Sequence, residues 1–296
     1  MQIVRDDAVE YRATPGFRTR GTSRGAPTEK PAANDHIAFK VYLSGPEDAP
    51  ENYTLMMSRQ GAFYSPAHKH NFDQFRFAVS GDFSIGRGAT LREGQLGYFP
   101  EGTPYGPQDD GEGQRELLVL QFGGTSGQGY LSQQQLRAAT GALSAEGEFA
   151  DGHFVRTGET HKKDAFEAVW EHHNRRPMEY PPARYKTPVM MTPSHFGWTE
   201  TGVQGVRRKP LGTFTERQTR AEMVQADAGT TCAFPAEDAF RLIYALSGTG
   251  TGWEARTAFA LEPGESGSIG VEAAAEFIVF VLPRLRHAGA AVKAVA

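Results

Sequence analysis

A single cysteine, Cys232, stands in a chain of 296 residues. No disulfide can close within the chain and no thiolate zinc cluster can be assembled, so any metal must rely on nitrogen and oxygen ligands. Long apolar runs are missing as well. The opening MQIVRDDAVEYRATPG lacks the apolar core of a signal peptide, and no uninterrupted apolar stretch approaches the length of a membrane span. The closing AGAAVKAVA is too short to span. These absences lead to the expectation of a cytoplasmic protein with no membrane partner. Charge of one sign is never concentrated: the formal net charge is −4 and no long basic run occurs, which argues against nucleic acid as a partner.

What the chain does contain is enough for packed cores. Hydrophobic residues make up 39% and charged residues 22%, and the length suggests two domains. Glycine (34) and proline (18) are frequent, which favours many short strands joined by turns over long helices.

Four segments follow from the pattern along the chain. Residues 1–36 read as an extended arm, rich in Arg, Thr, Gly and Pro from about Tyr11 to Asn34 and without apolar periodicity. Residues 37–128 carry short apolar runs between turn signals: IAFKVYL, YTLMMS, FRFAVSG, QLGYFP and ELLVLQF. Residues 129–185 form a connector, with helical patterns at LSQQQLRAATGA and KDAFEAVWEHH and a proline-rich linker, PMEYPPARYKTP, at its end. A serine precedes the glutamines of the first helix, and Asp164 is placed to cap the second. Residues 186–296 return to strands: GTFTERQ, AEMVQADAG, FRLIYALSG, TAFALEPGES and AEFIVFVLP.

Two of these stretches repeat. FRFAVSGDFSIG resembles FRLIYALSGTGTG, and LREGQLGYFP resembles LEPGESGSIG. The offset is 167 residues from Gly81 to Gly248 and 170 from Gly94 to Gly264, so the second copy carries three extra residues between the blocks. Two copies of one β-rich unit in the same order imply a duplicated barrel.

The chemistry concentrates in GAFYSPAHKHNFDQFRFAVSG. Alternate side chains of a strand share one face, so His68, His70, Phe72, Gln74 and Arg76 can point together, with two imidazoles close enough to grip one ion. The chain turns at Gly81, and a second strand near Tyr98 to Tyr105 can offer a ligand from the opposite wall. The spacing His68-x-His70, Gln74, Gly81, then Gly94, Pro100, Gly102 and Tyr105 resembles the two motifs of the cupin superfamily. In that family a His-x-His pair, an acidic residue and a later His converge on one metal. The resemblance implies a mainly all-β protein: two jelly-roll cupin β-barrels with a short helical connecting segment, the N-terminal one holding a divalent transition metal such as iron, zinc or manganese.

Two positions depart from the family pattern. Gln74 stands where Glu is usual; an amide carbonyl can bind a metal but is neutral and a weaker donor. Tyr105 stands where the final His is expected, and a phenol binds tightly only when deprotonated. The expected metal set is therefore His68, His70, Gln74 and Tyr105, with Tyr105 either completing the shell or moving protons. This is not the two-His-one-carboxylate triad favoured by oxygen-activating iron. Some cupin isomerases and polyketide-type cyclases carry Gln here, so the substitution does not imply a dead site. A low-charge set leaves the metal a stronger Lewis acid, suited to polarising a carbonyl or enol oxygen.

Arg76 shares the predicted lumen face. A buried guanidinium is costly unless paired, so Arg76 either meets an internal carboxylate or receives an anionic substrate as a second catalytic group. Asp73 should face away from His70 by alternation, and Tyr98 and Phe99 line or pack the barrel. In the second copy, His68, His70, Gln74 and Tyr105 fall on Pro235, Glu237, Arg241 and Ala275, so the C-terminal barrel reads as degenerate and structural. His172 and His173 are adjacent on a helix and diverge; His195 reads as a loop residue. SGTGTGW follows a strand but opens no helix, so it reads as a hairpin turn and not a phosphate loop.

The functional expectation is a metal-dependent enzyme acting on a small, oxygen-rich molecule. Isomerase, cyclase or lyase chemistry ranks above oxygen insertion by a dioxygenase. The rival from another class is a non-catalytic small-molecule-binding barrel. An exposed sheet edge and the N-terminal arm make a homodimer a further expectation.

Overall fold

The computed structural model describes residues 1–13, 37–47, 49–65, 67–150 and 153–285. Most of the arm expected over residues 1–36 therefore lies outside the described residues. The chain divides into two compact units, Tyr11–Met190 and Met1–Glu10 joined with Met191–Ala296. Sheet pairings throughout are antiparallel between named strands.

The larger unit is built on a seven-stranded sheet in the order Val189–Met191, Leu96–Phe99, Asp73–Ser80, Arg115–Phe122, Tyr53–Gln60, Ile37–Ser44, Arg12–Ala13. The five apolar runs of the sequence are its five central strands. Short two-stranded pieces, Phe63–Ser65 with Gln108–Asp110 and Phe83–Gly86 with Ala89–Leu91, supply further barrel wall. Gly81 and Gly94, both at positive φ (76° and 77°), make the turns that a side chain would strain.

The connector belongs to this unit. Helix α1 (Gln133–Ser144) opens on a capping box: Ser132 Oγ accepts from the Gln135 amide (3.1 Å) and Gln135 Oε1 accepts from the Ser132 amide (2.8 Å). Helix α2 (Ala165–Asn174) is capped by Asp164, which accepts from the amides of Phe166 and Glu167. Leu136, Leu143, Val169 and Trp170 bury the facing sides of the two helices in one apolar cluster.

The second unit has an eight-stranded sheet in which Gln2–Val4, Ala258–Leu261, Arg241–Gly250, Ala273–Val281, Arg220–Ala226, Val206–Thr213 and Thr199–Glu200 lie in that order, with Trp253–Glu254 pairing onto Arg241–Gly250. Two readings of the sequence differ here, and a third holds. The first ten residues are not part of an arm: Gln2–Val4 is the edge strand beside Ala258–Leu261. The strand expected at GTFTERQ lies earlier, at Val206–Thr213, hidden by the polar run Arg207-Arg208-Lys209-Pro210. The ladder tolerates Pro210 because the register shifts between Pro210 and Gly212. SGTGTGW is a hairpin, with Gly250 paired to Trp253.

Candidate functional site

Strand Asp73–Ser80 carries the site, and the preceding segment extends it. His68 and Tyr105 exchange both backbone hydrogen bonds (3.0 Å each), and the Gly102 amide donates to the His70 carbonyl (2.8 Å). Cross-strand pairing of this kind puts the side chains of His68 and Tyr105 on one face. His68, His70, Gln74, Arg76 and Tyr105 all line one cavity of about 450 Å³. The alternation expected for His68, His70, Gln74 and Arg76 thus reaches the lumen, although the regular strand begins at Asp73.

The phenolic oxygen of Tyr105 is the focus. His68 Nε2 lies 3.0 Å from it, His70 Nε2 2.8 Å, the Gln74 amide nitrogen 3.3 Å and Arg76 Nη2 2.6 Å. The ring packs edge-on against Phe99, and the Arg76 guanidinium lies over Phe99, 4.4 Å from its centroid. Gln74 is pinned in turn. Its carbonyl oxygen accepts from Arg76 Nε (3.2 Å) and Nη2 (3.0 Å) and from the Gln121 amide (3.2 Å). Gln121, directly across the ladder, accepts from the Tyr130 hydroxyl (2.9 Å). Gln121 was missed by sequence reasoning, but its signal was there: a lone amide at an inward position of the apolar run ELLVLQF.

Two more lining groups, Phe166 and Tyr180, come from segments the sequence treated as connection. Phe166 of α2 meets the His70 ring edge-on at 6.1 Å and packs on Phe72; Lys69 lies over the Tyr180 ring at 4.3 Å. Nothing in a helix's own periodicity says which barrel mouth it will cover.

Asp73 turns away from the lumen, as alternation requires. It is fully buried, accepting from the Glu101 amide (2.7 Å) and the Tyr98 hydroxyl (2.9 Å). Burial and the neighbouring Glu101 charge push its carboxyl up to about 7. Burial and the adjacent Asp73 charge push the Tyr98 phenol up as well. Glu101 is held by Arg184 from the linker (2.7 Å) and by the Ser126 amide (2.9 Å).

Do these groups fit a divalent metal? Adjacent donors at about 2.0–2.2 Å from a shared ion lie roughly 3 Å apart. The separations of 2.8 and 3.0 Å between Tyr105 Oη and the two imidazole nitrogens match that. Gln74 differs: its oxygen is committed to Arg76 and Gln121, and its nitrogen faces Tyr105. Among the described residues no group of three or more His, Cys, Asp or Glu side chains could hold a metal. Three donors of the mixed type N, N and O therefore fit, and the Gln74 carbonyl does not face them.

In the second unit the corresponding place is filled. Arg241 donates to the carbonyls of Pro235 (2.5 Å) and Glu265 (2.6 Å), and Glu237 pairs with Arg220. Ala275, set against Tyr105 by the sequence offset, lies instead on Ala273–Val281, which pairs with Arg241–Gly250 as Arg115–Phe122 pairs with Asp73–Ser80; it packs in an apolar cluster with Trp253, Phe259 and Phe277. His172 and His173 end α2, where His173 lies beside Gln135, and His195 closes a short 3₁₀ turn.

No protein-family model matches the sequence, and no curated protein matches it. Solved structures do match. A protein described as a candidate dioxygenase from Nostoc punctiforme superposes with a TM-score of 0.57 at 12% identity, covering 96% of this chain and 83% of that one. HEPD from Streptomyces albus, solved with its substrate 2-hydroxyethylphosphonate and Fe(II), gives 0.53 at 11% identity over 95% and 76%. Vicilin from Corylus avellana (hazelnut) gives 0.51 at 11% identity over 96% and 86%. At these identities the likeness speaks for the fold alone: the chain has the cupin fold.

Proposed function

We propose that the N-terminal barrel is a metal-dependent enzyme site for a small, oxygen-rich molecule. The observation that carries this reading is the convergence of His68 Nε2, His70 Nε2 and Tyr105 Oη at 2.8–3.0 Å on the polar end of the cavity. His68, His70 and Tyr105 would hold the ion. Gln74 acts from behind, fixing Arg76 and Tyr105 through its two ends. A divalent ion here supplies Lewis acidity toward a carbonyl or enol oxygen.

The chain's own groups do the rest. The Arg76 guanidinium meets the oxygen on which negative charge gathers. Tyr105 is the hydroxyl within reach of that oxygen and moves a proton to or from it whenever it does not hold the ion. Phe166 and Tyr180 line the cavity beside this polar end. No carboxylate belongs to the set, so isomerisation, cyclisation or elimination ranks above oxygen insertion.

Elemental analysis of protein purified without chelator tests the reading. Near-stoichiometric iron, zinc or manganese in the wild type, lost in His68→Ala/His70→Ala, is the expected result. No metal in either protein after reconstitution overturns it. One observation favours a second reading, a metal-free binding barrel: the Arg76 cation lies 2.6 Å from the Tyr105 oxygen, where it opposes a second cation. That reading takes over if the wild type stays metal-free.

A further inference from the structure

Arg76 decides what the cavity can accept. Among the described residues, no carboxylate lies within ion-pair distance of its guanidinium. Its Nε and Nη2 are spent on an amide and a phenol, those of Gln74 and Tyr105. Among the described residues Nη1 has no hydrogen-bond partner, while the residue lines the cavity half-buried. The glutamines that also line the lumen are different, because they satisfy one another. Gln108 donates to Gln60 (3.1 Å), Gln60 donates to Ser58 (3.0 Å), and Gln121 is tied to Gln74 and Tyr130. The group with donors to spare in this lumen is therefore a cation.

The remaining charges reinforce it. Lys69 lines the same cavity and likewise has no carboxylate partner among the described residues. The acidic side chain of the lining, Asp164, accepts the two amide bonds that start α2. The apolar part of the wall includes Phe39, Met56, Phe63, Leu117 and Val119. A cation left unpaired in such a wall costs free energy until an anion reaches it.

We propose that the lumen takes an organic acid with one anionic head and an apolar, preferably aromatic, body: the head pairs with Arg76 and the body lies along the phenylalanine and aliphatic wall. This deepens the enzyme reading by naming its substrate class, and it rests on the same cavity. It does not need the metal. Fixing the guanidinium through Gln74 and by stacking on Phe99 removes rotamer freedom in advance, which favours binding over an exposed arginine.

The test uses the full chain, stripped of metal with EDTA so that the probe cannot bind an ion. Calorimetric titration compares 3-phenylpropanoate with its uncharged amide. The acid should bind about 10- to 100-fold more tightly, the scale of a charge-assisted hydrogen-bonded pair. Arg76→Gln should abolish that preference. Gln74→Glu, which keeps Arg76 but places a carboxylate against it, should abolish it too and serves if Arg76→Gln does not fold. Equal binding of acid and amide, no binding of either at millimolar concentration, or a preference that survives both substitutions overturns the proposal. The wild-type comparison needs no variant. A preference seen in stripped protein that never takes up metal would keep the acid site and discard the metal centre, so the two failures are distinguishable.

Discussion

Asp73 and Gln74 are neighbours in sequence and lie in different chemical worlds. Gln74 faces the lumen; Asp73 is sealed behind the sheet with Tyr98 and Glu101. A carboxyl raised from 3.8 to about 7 keeps its proton in the folded protein at pH values where the unfolded chain has lost it. The folded state then binds more protons than the unfolded one, so stability falls as pH rises from about 4 to about 7 and levels off above. The contribution to the slope approaches about 1.4 kcal/mol per pH unit. Asp73→Asn, which mimics the protonated form, should flatten that slope and stabilise the protein at pH 8. Urea denaturation at pH 5 and pH 8 reads this directly, and an unchanged slope in the variant would refute the assignment.

At the scale of elements, the turn between Phe99 and Tyr105 sets where the phenol lands. Gly102 sits at its centre with φ +75°, and a Cβ there would stand 2.1 Å from the Pro181 carbonyl of the linker. Gly102→Ala therefore meets two obstacles, a left-handed backbone and a backbone clash, and should cost at least about 1–3 kcal/mol. Because the Gly102 amide also holds the His70 carbonyl, probe affinity in the lumen should fall with stability. Thermal melting and the acid titration check the two effects; a variant with wild-type values in both would show that the linker yields freely. The same turn explains why the proline-rich linker is more than a spacer: Arg184 reaches the buried Glu101, and the Tyr185 carbonyl accepts from Thr103.

For the whole molecule, the units do not follow the linear order of the chain. The first ten residues complete the second unit's sheet, and the strand Arg12–Ala13 already belongs to the first. Deleting residues 1–10 should leave Ala258–Leu261 as a bare edge. The expected result is a lower melting temperature, by about 2–4 °C for each kcal/mol lost, together with a tendency to aggregate. Acid binding in the first barrel should be unchanged. An unaltered melt would mean that the Gln2–Val4 pairing adds nothing.

The repeat of glycine turns, the alternating apolar runs and the His68-x-His70 pair are local patterns, and each was legible in sequence. They were enough to read the cupin fold and to bring His68, His70, Gln74, Arg76 and Tyr105 to one cavity. Capping residues were legible for the same reason, since Ser132 and Asp164 act within three residues of themselves. Tertiary structure decided what distance along the chain conceals. It turned the Gln74 carbonyl to Gln121, brought Phe166 and Tyr180 to the lumen, placed the N-terminal strand in the second unit and left Arg76 without a carboxylate partner among the described residues. Which way an amide points and whether a cation finds a partner depend on groups 29 to 47 residues away in sequence, and only packing sets those distances.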